Sequence, residues 1–400
     1  MRDDKKPPVL AGFRRRIDQA RAREFAETAR RLQREREDAA DLVDRLLQET
    51  PAEQWPLLAE RRELQTCGAL EKLGNTVTAT LDSDPRRALA MAELSASLAE
   101  GIMPSAYPQV VIAQLCAHAW KDVGHSLAYL GRYDDALLAI DRAEASISPF
   151  GALGHDYAII QFVRAKILLE VDRQEEVRGL LAACKKVFRE HGDSRRLVLC
   201  GIAEGVRLHR LRRYREAREA YLLLLAETRD SIDTEPLACL HNLIGFCSVD
   251  LGDYEAAEVH LSTAIELFKE VHEPLSAAKA ELGRGRLFVR RGEIDRGVAH
   301  LLAIRSTFLR QNLTEEAGIC ALEMVEALLL RGNAEDAEAL ARQVISEFTA
   351  ARLNRRAITA LGYLQEAIAS RRASVATVIN VREYIVGLRT SPEREFTMAL

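Results

Sequence analysis

The chain has 400 residues, of which 48% are hydrophobic and 29% charged, with a formal net charge of -4. A balance this close to neutral supplies no general pull toward nucleic acid or anionic lipid, and no stretch approaches the ~18 uninterrupted apolar residues of a membrane span. Only 11 prolines and a predominance of Leu, Ala, Glu and Arg favour helix throughout.

Residues 1–12 read as a disordered tail. Residues 13–50 read as one charged amphipathic helix, with Phe25, Ala29, Leu32, Ala39, Val43 and Leu46 recurring at steps suited to one apolar stripe. That stripe fits either a helix packed back on the rest of the chain or a coiled coil pairing two copies. Nine Arg face four acidic residues between Arg14 and Arg36. Many lie three or four positions from Glu or Asp, as on a solvated face with side-chain ion pairs, and no reading motif for nucleic acid accompanies them. Residues 51–108 form a degenerate leading hairpin, opened by Pro51, Trp55 and Pro56 and turned at Asp82-Ser83-Asp84-Pro85. There Asp84 is placed to cap a helix that has Pro85 at its first position.

From residue 109 to 350 a turn recurs. Leu130-Gly131-Arg132-Tyr133-Asp134-Asp135-Ala136 returns as Leu211-Arg212-Arg213-Tyr214-Arg215-Glu216-Ala217 and Leu251-Gly252-Asp253-Tyr254-Glu255-Ala256-Ala257, with weaker copies between and after. The closing residues fall at 136, 177, 217, 257, 297 and 337, at steps of 41, 40, 40, 40 and 40. A fixed period means a stack of like units, here six helical hairpins, each packed only on its neighbours. A less regular pair over 351–390 would cap the stack, and 391–400 form a second tail. Strand-like alternation is absent.

The first hairpin carries Trp120-x2-Val123-Gly124-x2-Leu127, then Ala136, Ile140 and Ala143. Another carries Asn242-Leu243-Ile244-Gly245, then Gly252, Tyr254, Ala257, Leu261 and Ala264. This pattern resembles the tetratricopeptide repeat (TPR) over roughly residues 57–390, and the chain as a whole resembles bacterial TPR regulatory and adaptor proteins. Gly124, Gly205, Gly245 and Gly285 share one position facing the paired helix, where a larger group would push the helices apart. Departures are the period of about 40 instead of the ~34 of the commonest repeat, and the missing closing proline in most units. The resemblance implies an all-α, right-handed superhelical solenoid with a concave groove. Some proteins of that kind carry a helix-turn-helix or signalling module ahead of the repeats; the leading residues here offer only one long charged helix.

Motifs for chemistry are missing. Gly283-Arg284-Gly285 falls inside a predicted helix without a preceding strand, so it is no nucleotide fingerprint. His118 and His125 share a helix face but have no third ligand in sequence. The seven cysteines, an odd number without CxxC spacing, read as buried thiols of a reducing compartment. No catalytic residue, metal or cofactor is expected, and the start lacks the apolar run of a signal peptide, so the expectation is a cytoplasmic chain.

In such stacks the first helix of each hairpin lines the concave groove. Aligning the units places Lys121, His125, Lys166, His209, Asn242, Phe246, Lys279, Arg286 and Arg290 on that wall. Asn242 suits a ligand backbone, Phe246 an apolar side chain, and the Lys/Arg group a carboxylate or acidic segment. The sequence thus points to a scaffold or adaptor binding a peptide or partner protein in an open groove. The alternatives are a peptide-responsive regulator whose 13–48 helix transmits the change, and an enzyme of unrecognised type.

Overall fold

The computed structural model describes residues 30–388 and 396, except 152–153, 172, 229–231 and 352–354. The expected tail at 1–12, the start of the charged helix and nearly all of 391–400 lie outside the described residues. Among those described, regular structure is entirely helical.

Helix α1 spans residues 30–49. Two 3-10 segments, Ala52–Glu60 and Arg62–Leu64, follow where a continuous helix would have begun near residue 57. The prolines break that run. Trp55 is buried, donates its indole N–H to the Thr50 carbonyl and lies under the Arg87 guanidinium. The leading hairpin is therefore shorter than its sequence range, comprising α2 (Cys67–Thr80) and α3 (Pro85–Glu100). Thr66 caps α2 and Asp84 caps α3, with Pro85 at its first position.

The six hairpins pair α4 (Gln109–Tyr129) with α5 (Tyr133–Ile147), α6 (Gly154–Glu170) with α7 (Gln174–Glu190), and α8 (Ser194–Arg210) with α9 (Tyr214–Thr228). They continue as α10 (Thr234–Leu251) with α11 (Tyr254–Glu270), α12 (Pro274–Arg290) with α13 (Ile294–Arg310), and α14 (Thr314–Leu330) with α15 (Ala334–Ala350). The recurring turn is explained by its backbone. Gly131, Gly252, Gly292 and Gly332 have φ of 73°, 76°, 84° and 80°, the left-handed conformation that ends a helix in a Schellman motif. Arg212 takes the same conformation at φ 58° without that freedom.

The four helix-facing glycines are close approaches. A Cβ at Gly205 would lie 2.2 Å from the Tyr221 ring, and at Gly245 or Gly285 2.6 Å from Leu261 or Leu301. At Gly124 it would lie 2.9 Å from Ile140. Opposite the first three, Ala136, Ala217 and Ala257 are fully buried, and Gly285 faces Gly297. A second periodic feature, not read from the sequence, is a buried phenylalanine closing four second helices: Phe188, Phe268, Phe308 and Phe348. Thr314 is the first residue of α14 and makes no side-chain cap; Leu313 precedes it.

Helix α1 folds back. Ala39, Val43, Leu46 and Leu47 are buried in the first core, and Gly68 lets the α2 backbone approach so closely that a Cβ there would strike the Glu35 carbonyl. Arg36 pairs with Glu71, Lys72 with Asp44, and Tyr107 donates to Glu35. The described part of the stripe, from Leu32 to Leu47, is thus taken up within the chain; Phe25 and Ala29 lie outside the described residues.

The final pair, α16 (Arg355–Ala369) and α17 (Val375–Gly387), breaks the layer order. Instead of following α15 on the outer layer, α17 packs against α16 and the inner-wall helix α14. Phe396 stacks on Tyr363 and meets Tyr384 of α17 edge-on.

Candidate binding channel

The first helices of the hairpins form the inner wall, and most of the nine residues aligned there by repeat position are engaged by neighbouring side chains. Lys166 Nζ lies 2.8 Å from His125 Nε2 across one unit boundary. Burial pushes both down: His125 well below the usual imidazole range, helped by Lys166 and Lys121, and Lys166 below the usual amine range. An imidazole that stays neutral can accept from the ammonium, so the contact is a hydrogen bond and not a clash of charges. Lys121 pairs with its neighbour Asp122 at 2.6 Å.

Toward the C-terminal ends of the later wall helices, an ion chain crosses four units. His209 meets Asp250 at 2.9 Å, Arg286 reaches Asp250 and Glu323 at 3.2 Å each, and Arg290 donates to Glu326 at 2.6 Å. Burial would raise the Asp250 carboxyl, but the His209 hydrogen bond and the Arg286 charge outweigh it and hold it low. Phe246 sits under Arg286, whose guanidinium is 5.9 Å from the ring centre. Asn242 differs from the rest. Its Oδ1 is buried and has no hydrogen-bond partner, and a buried carbonyl without a partner is costly.

The expected open groove is bridged. Asp82, in the turn between α2 and α3, accepts from Leu275 N at 2.8 Å and Ser276 N at 3.1 Å, and from the Ser276 hydroxyl at 2.7 Å. These are the second and third residues of α12, whose own N-cap position, Glu273, makes no side-chain cap. Asp82 is therefore the N-cap of a helix 193 residues away. Beside it Lys279 lies 5.4 Å from the Tyr129 ring centre, so the C-terminal end of α4 faces the start of α12. Burial and the nearby Glu235 and Asp82 carboxylates raise Glu273 to about 7. At the other mouth, Arg212 pairs with Glu383 of α17, and Arg382 reaches Glu323 at 2.8 Å and Glu326 at 3.1 Å. The inner wall, bridged at both places, lines the candidate channel.

Sequence alignment within the repeats found wall positions but missed Asp82, Glu235, Cys239, Glu273, Glu323, Glu326 and Arg382. Burial raises the Cys239 thiol to about 12, so it is no poised nucleophile. His118 and His125 do not share a ligand: His118 bonds Asp156, His125 bonds Lys166. A separate cleft of about 610 Å³ lies where α1 and α2 meet α4, lined in part by Leu32, Leu70, Gln114 and His118. No described helix is long and apolar enough to cross a membrane.

No protein-family model matches the sequence, and no curated protein matches it. Solved structures do. A Rap protein complexed with Competence and Sporulation Factor aligns at 16% identity and a TM-score of 0.50, over 86% of this chain and 99% of that one. A signal-transduction ATPase (STAND) protein with a tetratricopeptide repeat sensor, from Pyrococcus horikoshii, aligns at 14% identity and a TM-score of 0.50. That match covers 90% of this chain and 53% of the other, so this chain spans about half the length of that protein. The fold is a TPR-like solenoid. In this TPR-like stack the units run 40 residues, and the inner wall is bridged by the Asp82 cap at one side and by α17 at the other.

Proposed function

We propose that the chain is a non-enzymatic binding protein that takes a peptide or an extended segment of a partner protein into its inner channel, acting as a regulatory adaptor. The observation that carries this reading is Asn242. Its buried, unpartnered Oδ1 on the inner wall suits a backbone N–H of an extended ligand, which would restore the missing hydrogen bond. Phe246, one helical turn further on, offers an apolar face, and exposed Lys279 offers a charge at the channel's other side. A TPR-like solenoid solved with a bound factor, as the Rap protein is, supports the same use of this fold.

The remaining charged wall residues play a different part in this reading. Arg286, Arg290 and His209 neutralise carboxylates of the wall and so preorganise it, instead of clamping a ligand. Partner capture with Asn242→Leu and Lys279→Ala variants tests the proposal against wild type, with folding checked by circular dichroism. Selective loss of the same partner in both supports it. Identical partners at unchanged recovery would count against the channel.

The Asp82 contact favours a second reading, in which ligand binding is transmitted to α1. Asp82 joins the turn after α2 to α12, and α2 carries α1 on its other side through Arg36–Glu71 and Lys72–Asp44. A ligand that shifts α12 would pull on the element that holds α1.

A further inference from the structure

We propose that α17 is an internal ligand, and that the surface it covers on α14 and α16 docks an amphipathic helix of a partner carrying arginine on its polar face. The inference deepens the binding reading above by naming the partner's chemistry, and it uses residues separate from Asn242.

Three observations support it. First, α14 presents two carboxylates that are almost wholly buried, Glu326 at 0% and Glu323 at 6% exposure. Together with Asp250 they make three acids on the wall, for which the wall itself supplies two guanidinium groups, Arg286 and Arg290. The third comes from Arg382 of α17, which bridges Glu323 and Glu326 with a single nitrogen. Asp250 also has His209, so what α17 adds is a second guanidinium at each buried glutamate: Arg382 joins Arg286 at Glu323 and Arg290 at Glu326. Second, α17 leaves the outer layer to occupy the wall, and Glu383 reaches Arg212, 171 residues away, so the helix crosses from the last unit to the third hairpin. Third, α17 is built to start by itself. Ser374 and Thr377 form a reciprocal capping box, and the preceding turn runs through Arg371 at φ 56°. Its buried side consists of Val378, Val381, Tyr384 and Ile385. A competing helix needs that apolar stripe with arginine beside it.

The test uses a fluorescent peptide of residues 373–388 and a chain ending at Ala373. The shortened chain should bind the peptide. Binding to the full chain should be about tenfold weaker or worse, because the tethered α17 competes. An Arg382→Ala peptide should bind the shortened chain about a hundredfold more weakly. If the shortened chain keeps its helical circular dichroism and cooperative melt yet binds neither peptide, the proposal is overturned. If it does not fold, the full chain with Arg382→Ala and Glu383→Ala decides the matter. Hydrogen exchange over 375–387 should then quicken about tenfold or more while α14 is unchanged, and unchanged exchange there overturns the proposal. None of these outcomes depends on Asn242, so failure here leaves the channel reading standing.

Discussion

Replacing Asp82 with alanine should open the solenoid at its longest-range contact. The carboxylate is buried, and it accepts from two backbone N–H groups of α12 and one hydroxyl. Loss of an N-cap costs about 1 kcal/mol, and hydrogen bonds to a charged acceptor are worth more than neutral ones. Leu275 is nearly inaccessible, so its N–H would be left without water or a partner. A smaller effect of opposite sign comes from Glu273, which loses one repelling neighbour. A net loss of about 2 kcal/mol follows, felt locally at the start of α12. Hydrogen exchange of the Leu275 and Ser276 amides should then accelerate about thirtyfold, while the α10–α11 hairpin is unaffected. Asp82→Asn keeps one acceptor oxygen and should fall between. Equal exchange rates in wild type and Asp82→Ala would refute the cap.

Two glycines in helix interiors should respond in opposite directions. Gly205→Ala forces the buried Tyr221 ring aside and should cost about 1–3 kcal/mol before a gain of about 1 kcal/mol in helix propensity. Gly362→Ala, with nothing within 4 Å of the new Cβ, should show only the gain; thermal melts of the two variants check the sign of each. The pH dependence of stability should carry two signatures. Glu273, raised to about 7, favours the folded state below the ordinary ~4.3 of an unfolded Glu and loses that advantage as pH rises toward 7. Glu273→Gln should therefore raise Tm at pH 8 and leave it little changed at pH 4. Asp250 is held low, so its contribution is complete above ~3.9 and disappears on further acidification. Asp250→Asn should therefore lower Tm at pH 7 more than at pH 3.

The hairpins were legible in the sequence because each unit solves the same packing problem with the same small residues, at Gly205 and Ala217 or Gly245 and Ala257. Phe188, Phe268, Phe308 and Phe348 carry the same period and were open to the same reading. Wall positions such as His209 and Arg286 could be assigned by counting, but their pairing across unit boundaries was not read. A signal for it exists: His125–Lys166, His209–Asp250 and Glu170–Arg210 are complementary pairs 41, 41 and 40 residues apart, one repeat period. Asp82–Leu275 and Arg212–Glu383 carry no such signal. They depend on how far the superhelix advances per unit, a sum of small rotations that no single motif encodes. Helix α1 was ambiguous for another reason: a stripe such as Ala39–Val43–Leu46 serves a coiled coil or an intramolecular core equally well, and only Gly68 marks the close approach.

Placing a photo-crosslinking side chain at Phe246, on the inner wall, and at Leu223, 65% exposed on a second helix, would test the binding channel most directly. A ligand held inside the solenoid should give adducts from position 246 that vanish with Asn242→Leu, and none from position 223. Adducts from 223 alone would place the binding surface outside the channel and contradict the function proposed for it.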